Sequence, residues 1–300
     1  MNVIFLGFGK VGFHCLQDLV SHGVNVRGVV PRSSDHANKN EFYSVRTLAA
    51  ELNIPTYHHG ISKDYDKHIS LEDIDYIISV QYDRILNDEW LSIPKRDTLN
   101  LHFSFLPKLR GCFPTKWAII EENFSGVTLH SVDAGIDTGP ILAQRKVFFN
   151  KKETDKTLYL KLSQSAVELF KENIPFIKSG SFPHRVEQIN SKSSYHPKEL
   201  PFEGVLDLSK GIDFCDRFLR AFDFKPFPPA VCRLEKFNLN DLGLYSPIDA
   251  KKTNMSQLGL SNITNDGLLE VHSSDGILYF DKVFIQNSTI SISEFEKFIQ

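Results

Sequence analysis

The chain opens on an unbroken apolar run, Val3 to Leu6, followed from residue 10 to 22 by apolar groups at helical spacing. A second strand-like run covers Val24 to Val30, residues 44 to 53 suit another helix, and Asp75-Tyr76-Ile77-Ile78-Ser79-Val80 has the pattern of a further buried strand. Short apolar runs alternating with helical periods imply βαβ units and a mainly parallel, Rossmann-like sheet covered on both faces. Ligands bind beyond the carboxyl ends of the strands in such sheets. A site is therefore expected just after Val80 and just after the run Leu99 to His102.

Farther along, Gly126-Val-Thr-Leu-His-Ser-Val and Ile141 to Phe149 are strand-like. Residues 155 to 173 favour a helix whose apolar side carries Leu158, Leu162, Val167 and Leu169. The stretch from Lys178 to Phe202, rich in Ser, Pro and Gly, breaks the pattern and reads as a bridge between domains. One helical segment follows near residues 209 to 222, then the rigid aromatic turn Phe224-Lys225-Pro226-Phe227-Pro228-Pro229-Ala230. Residues 238 to 266 are polar and irregular, whereas 267 to 272 and 276 to 280 read as short strands around a turn. The expected organisation is an α/β catalytic domain at 1–185, a bridge and acceptor-binding region at 186–236, and a small β-rich domain at 237–300.

Composition narrows the class. A chain of 300 residues buries a substantial core. With 34 basic and 37 acidic residues the net charge is −3, and no basic domain or stripe of the kind a nucleic-acid partner requires stands out. Residues 31 to 42 mix Arg32 and Lys39 with Asp35 and Glu41 and give no electrostatic emphasis. The start lacks the pattern of a signal peptide, and no run approaches the roughly 18 apolar residues of a membrane span. Cys15, Cys112, Cys215 and Cys232 show neither metal nor redox spacing, so a cytoplasmic protein with free thiols and no membrane attachment is expected. The 24 Phe and 9 Tyr could line pockets, but strands and cores account for most of them.

Gly7-Phe8-Gly9-Lys10-Val11-Gly12 matches the dinucleotide fingerprint and leads from a strand into a helix. The acidic residue that should end the second strand and hold a ribose is replaced by Val29-Val30-Pro31-Arg32. Arg32 would suit only a phosphorylated ribose. Glycines also permit tight strand-to-helix packing without any nucleotide, and that role is the expected one here.

The chemistry-bearing groups fall in two pieces. Asn100-Leu101-His102 ends a strand, and period two puts the Asn and His side chains on one face. In Asp133-Ala134-Gly135-Ile136-Asp137-Thr138-Gly139 two glycines bracket Asp137 and permit unusual backbone paths. Taken singly, each has a plainer role: a turn-forming Asn, a satisfied polar His, a loop-capping Asp. Together they supply a neutral donor, a base and a carboxylate with no evident nucleophile, which is the set that direct acyl transfer to an amine needs. His102 accepts the proton the amine loses, and the Asn100 amide donates to the developing oxyanion. Asp137 either orients the imidazole or assists proton transfer through water. His102, His130, Asp133 and Asp137 fit no compact ligand spacing, so no metal is expected.

The run Asn-Leu-His-Phe-Ser-Phe-Leu-Pro-Lys-Leu-Arg-Gly from residue 100, with Gly-Val-Thr-Leu-His-Ser-Val-Asp-Ala-Gly-Ile-Asp-Thr-Gly from residue 126, closely resembles the folate-dependent formyltransferase family over roughly residues 1 to 180. The resemblance implies Asn100, His102 and Asp137 as catalytic residues and 10-formyltetrahydrofolate as cosubstrate. It implies a pterin-binding loop at Gln81, Tyr82, Asp83, Arg84, Ile85 and Leu86, with Asp133, Gly135 and Ile136 closing the other side of that pocket. Trp117-Ala118-Ile119, His130, Ser194-Tyr195-His196-Pro197-Lys198 and the region from Arg220-Ala221-Phe222 to Pro229-Ala230 are more similar to the branch that formylates nucleotide-linked aminosugars than to methionyl-tRNA formyltransferases. The turn departs from the family's simplest pattern by ending Pro228-Pro229-Ala230 rather than Pro-Gly-Ala. A dTDP-linked aminodideoxy sugar for surface polysaccharide such as lipopolysaccharide O-antigen is thus the expected acceptor, and a homodimer the expected assembly. Lys108 and Arg110 would bind the acceptor, Lys198, Arg217 or Arg220 would meet its diphosphate, and Tyr195, Phe222 or Phe224 its base. Methionyl-tRNA is the main competing acceptor. A glycinamide-ribonucleotide enzyme leaves the long second region unexplained, and a non-enzymatic nucleotide-binding protein is the plain alternative.

Overall fold

The structure is a computed structural model that describes residues 1–36, 43–57, 73–234, 239–254 and 257–299. Lys39 and Glu41, weighed above for charge, lie outside the described residues. The chain divides into two compact units: Met1–Gly111 with Ser125–Val147 and Lys161–His196, and Cys112–Phe124 with Phe148–Leu160 and Pro197–Gln300.

The first unit is α/β. β1 (Asn2–Gly7) leads into α1 (Gly9–Ser21), β2 (Asn25–Pro31), α2 (Val45–Glu51), β3 (Tyr76–Val80), the short α3 (Asp88–Leu91) and β4 (Asp97–His102). These strands pair in parallel, β2 with β1, β1 with β3 and β3 with β4. Val3, Ile4, Phe5, Leu6, Ile77 and Ile78 are completely buried, as apolar strands covered on both faces must be. After the two-residue β5 (Arg110–Gly111) and α4 (Pro114–Glu121), β6 (Phe124–Ser131) joins β4 antiparallel and β7 (Ile141–Phe148) completes the order β2-β1-β3-β4-β6-β7. The long α5 (Asp155–Ser179) follows, and β8 (Tyr195–His196) pairs in parallel with β5.

Of the fingerprint glycines, Gly9 takes a left-handed backbone (φ 60°) with open space around it, and Gly12 is a packing residue. A Cβ on Gly12 would lie 3.1 Å from Val45 Cγ2 and 3.4 Å from the Gly7 backbone, so α1 approaches β1 and α2 only because that side chain is missing. Arg32 is occupied as well: it donates to Asp83 at 2.7 Å and covers the Phe8 ring at 5.0 Å.

In the second unit α6 (Ile212–Ala221) buries Ile212, Cys215, Phe218 and Leu219, and β9 (Ala230–Leu234), β10 (Leu239–Leu244), β11 (Asp249–Lys252), β12 (Ser261–Ile263), β13 (Leu269–Ser273), β14 (Gly276–Phe280), β15 (Lys282–Ile285) and β16 (Ser288–Ser291) precede a terminal α7 (Ile292–Ile299). They form two four-stranded sheets, β16-β15-β10-β9 and β11-β14-β13-β12, whose observed pairings are antiparallel. Residues 238 to 266, expected to be irregular, hold three strands instead. Their signal is hidden because β11 is the polar edge Asp-Ala-Lys-Lys, exposed throughout, so backbone pairing with β14 makes the strand without any alternation. Within this unit Lys116 of α4 forms a buried ion pair with Asp155 (2.7 Å), and Arg220 donates to Asp216 (2.9 Å) and to the Glu153 carbonyl (2.8 Å).

Candidate active site

The register of the first sheet builds the site. Ser79 lies opposite Asn100 and Val80 opposite Leu101 in the β3–β4 pair, so the loop from Gln81 leaves the sheet level with His102. On the other side of β4, His130 of β6 pairs directly with Asn100. Asp137 sits in the loop after β6 with φ 53°, a left-handed backbone that its neighbours must hold in place.

Four groups meet around the Asp137 carboxylate. Oδ2 accepts from the Gly111 N–H at 2.9 Å and lies 3.6 Å from His102 Nδ1. Oδ1 accepts from Asn100 Nδ2 at 3.3 Å and lies 3.4 Å from His130 Nε2. Burial alone would raise the Asp137 carboxyl, but the His102 and His130 imidazoles, which attract it in their protonated forms, and the Gly111 amide outweigh it, holding the group well below the ordinary carboxylate range and ionised at neutral pH.

The carbonyls around the two imidazoles fix their tautomers. His102 Nε2 lies 2.9 Å from the Leu109 carbonyl, which only accepts, so the ring donates there and the lone pair of the neutral ring is on Nδ1, facing Asp137. His130 Nδ1 lies 2.7 Å from the Ser131 carbonyl, so its Nε2 is the acceptor and takes an N–H from Asn100 at 3.2 Å. Both Asn100 protons are thus engaged. The bond to Asp137, at 3.3 Å, is the longer and weaker one. His102 (8% exposed) and His130 (1%) are buried, whereas Asn100 is half-buried, so the amide is the more accessible group.

The loop after β3 leaves at the carboxyl edge of the parallel strands, whereas the loop after the antiparallel β6 starts beside Thr98 of β4. Gln81 has φ 58°; Tyr82 and Leu86 pack on the core cluster with Trp90, and Ile85 is 82% exposed. Asp83 pairs with Arg32, while Arg84 is exposed. Asp133, Gly135 and Ile136 are exposed, with Asp133 accepting from the Gly135 N–H and the Thr138 hydroxyl. Among the described residues no cluster of His, Cys, Asp or Glu could hold a metal.

The expected acceptor contacts separate into two groups. Tyr195 and Lys198 are exposed, Lys108 and Arg217 are half-buried, and Phe224 packs edgewise on Phe227. Arg110, Arg220 and Phe222 are instead buried: Arg110 is committed to Gln188 and Asn190, Arg220 to Asp216 and Glu153, and Phe222 lies under Lys116. Sequence reasoning gave no role to the Leu109 carbonyl, the Gly111 N–H, His130 or Gln188. Only His130 left a signal, as an alternate residue on the strand facing Asn100.

Residues 1–174 match the formyl transferase family model, and the chain belongs to that family. Its relatives include the bifunctional polymyxin resistance protein ArnA of Wigglesworthia glossinidia brevipalpis, 33% identical over 245 residues, which cover 78% of this chain but 36% of that protein. This chain thus spans about a third of that relative's length. The methionyl-tRNA formyltransferase of Clostridioides difficile is 29% identical over 96% of this chain and 93% of its own. Among solved structures the fold is shared with an N-formyltransferase from Helicobacter canadensis in complex with folinic acid and dTDP-3-aminofucose, at TM-score 0.72 and 24% identity over 93% of this chain and 98% of that one. It is also shared with WlaRD, a sugar 3N-formyl transferase crystallised with dTDP and 5-N-formyl-THF, at TM-score 0.71 and 22% identity over 93% and 97% of the two chains.

Proposed function

We propose that the protein transfers a formyl group from 10-formyltetrahydrofolate to the primary amine of a dTDP-linked aminodideoxy sugar. The observation that carries formyl transfer is the convergence of Asn100, His102 and His130 on the Asp137 carboxylate within 3.6 Å. The acceptor class is supported by the two dTDP-bearing structures, whose fold extends over 93% of this chain.

The cosubstrate supplies an activated formyl carbon when bound at the loops after β3 and β6. His102 takes the amine's proton at Nδ1, because Nε2 is already donating to Leu109, and gives it up to the folate N10 as the formyl C–N10 bond breaks and tetrahydrofolate leaves. The imidazolium so formed faces the ionised Asp137, which stabilises it without leaving its Gly111 bond. Asn100 turns one N–H from Asp137 Oδ1 to the developing oxyanion, and His130 keeps the other N–H and so fixes the amide plane. The exposed Tyr195 ring is the contact for the nucleotide base. A homodimer in the cytoplasm is the proposed working form; among the described residues no helix is long and apolar enough to cross a membrane.

The test offers 10-formyltetrahydrofolate with dTDP-3-amino and dTDP-4-amino deoxysugars, a GDP-linked aminosugar and charged initiator tRNA, and detects the added carbonyl by mass. Formylation of a dTDP-aminosugar is expected. Formylation of the tRNA alone would replace this assignment with the methionyl-tRNA one, which the 29% identity over nearly the whole chain makes the natural second arm.

A further inference from the structure

We infer that Gln188 is a positioning residue for Asp137, and that the segment from Val186 to His196 is a strap holding both partners of the acid–base pair. The inference rests on the formyl-transfer reading of the Asp137 cluster. Gln188 Nε2 donates to the Asp137 carbonyl at 2.8 Å and to the Gly139 carbonyl at 2.7 Å, bridging the two ends of the turn that carries the carboxylate. Its Oε1 accepts from Arg110 Nε at 3.0 Å and Nη2 at 2.8 Å, and Arg110 Nη1 donates to Asn190 at 3.1 Å. The Gln188 amide therefore has two N–H and two acceptor positions, all engaged.

The same segment grips the other arm. The Ser194 hydroxyl accepts from the Leu109 N–H at 2.8 Å, and the Ser194 carbonyl from the Arg110 N–H at 3.0 Å. Leu109 is in turn the residue whose carbonyl fixes His102. Val186 exchanges two backbone bonds with Ile141, just past the Asp137 turn. Leu109 (φ 59°) and Asp137 (φ 53°) are both non-glycine residues in the left-handed region, and such conformations persist only where surrounding bonds enforce them. The strap supplies those bonds from residues that lie beyond the 1–174 stretch matched by the family model.

The test is Gln188→Glu. A carboxylate of the same length keeps Arg110 paired but loses both donations to the Asp137 turn and repels its two carbonyls. Displacing a catalytic group by about 1 Å costs on the order of 10²-fold, so kcat is expected to fall by about that factor with both KM values within about threefold of wild type. Arg145→Ala, which removes an ion pair with Glu168 and Glu172 and leaves the Gln188 bonds to the turn intact, is expected to keep kcat within about threefold. The Gly111 amide resonance reports the same displacement without any acceptor: in Gln188→Glu it moves upfield and exchanges faster as its bond to Asp137 opens. Should Gln188→Glu not fold, Gln188→Met, uncharged and of equal length, carries the same expectations. Wild-type kcat in the folded variant, a rise in KM alone, an equal loss in Arg145→Ala, or an unmoved Gly111 amide would each overturn the inference. The kinetic arm uses whichever amine the wild type formylates. Rejection of dTDP-aminosugars in favour of another amine thus sinks the proposed acceptor while leaving Gln188 under test, and an inactive wild type leaves the Gly111 measurement decisive.

Discussion

Asp137→Asn changes one atom and removes one charge, and its cost follows from the distances. When His102 carries the transferred proton on Nδ1, a unit positive charge lies 3.6 Å from Asp137 Oδ2. At an effective dielectric of about 20 that pair is worth about 4 to 5 kcal/mol, of which solvent reaching the half-buried site screens a part. Asparagine also has a single carbonyl oxygen, so either the Gly111 N–H or Asn100 Nδ2 ends up facing an NH₂ group. A loss of about 3 to 4 kcal/mol in the transition state corresponds to a fall in kcat of roughly 10² to 10³, with KM little changed because neither substrate needs the charge in order to bind. Steady-state formyl transfer with saturating cosubstrate measures it, and a kcat within tenfold of wild type would refute the imidazolium–carboxylate pair. The same substitution has a signature in stability. A carboxyl whose folded value is depressed stabilises the fold above its unfolded value, about 3.9 for Asp, and that contribution disappears as pH falls toward the folded value. Wild type is therefore expected to melt above Asp137→Asn near neutrality, and the gap should close progressively below about pH 4 in thermal melts. A gap that widened on acidification would mean that Asp137 is protonated in the folded protein.

Other expectations follow from single contacts. His102→Gln preserves a donor for the Leu109 carbonyl but has no base, so kcat should fall by about 10² to 10⁴ with a thermal midpoint near that of wild type; retention of full turnover would move the base elsewhere. Gly12→Val drives a branched side chain into Val45, 3.1 Å from the position of its Cβ, and should cost about 1 to 3 kcal/mol in chemical denaturation. NAD or NADP should leave the melting temperature of the wild type unmoved, since a shift would restore a nucleotide role to the glycines. Lys116→Met strands Asp155, whose Oδ1 already lacks a partner, and should destabilise by about 3 to 5 kcal/mol, with Lys116→Met/Asp155→Leu recovering part of the loss in the same denaturation assay.

The first-unit architecture was legible because its strands are buried on both faces: runs such as Val3 to Leu6 and Tyr76 to Val80 have no alternative to a covered parallel sheet. Helix α4 was not legible. Thr115, Ala118, Ile119 and Ile120 are all buried while Lys116 turns into an ion pair, so no single apolar stripe marks it, and only Pro114 at its first turn hints at a start. At the site, period two correctly placed Asn100 and His102 on one face, and the glycines around Asp137 correctly announced an unusual turn. Sequence spacing does not carry the antiparallel register that sets His130 opposite Asn100, a pairing made between residues thirty positions apart.

The arginines show why the rest stayed hidden. Arg110 and Arg220 look like acceptor ligands because guanidinium groups recognise phosphate so well. In the fold, however, both are buried, and Arg110 gives its side-chain bonds to neutral amide oxygens, Gln188 Oε1 and Asn190 Oδ1. A buried cation on neutral acceptors is costly to keep, and the return is directional: a planar donor with five N–H groups sets the orientation of a glutamine amide that a shorter or rotatable cation would leave loose. Nothing in the residue type distinguishes that use from anion binding. The difference lies in whether the surrounding chain covers the guanidinium, which is a property of segments nearly eighty residues apart. In this fold Arg110 instead holds the Gln188 amide that bridges the Asp137 turn.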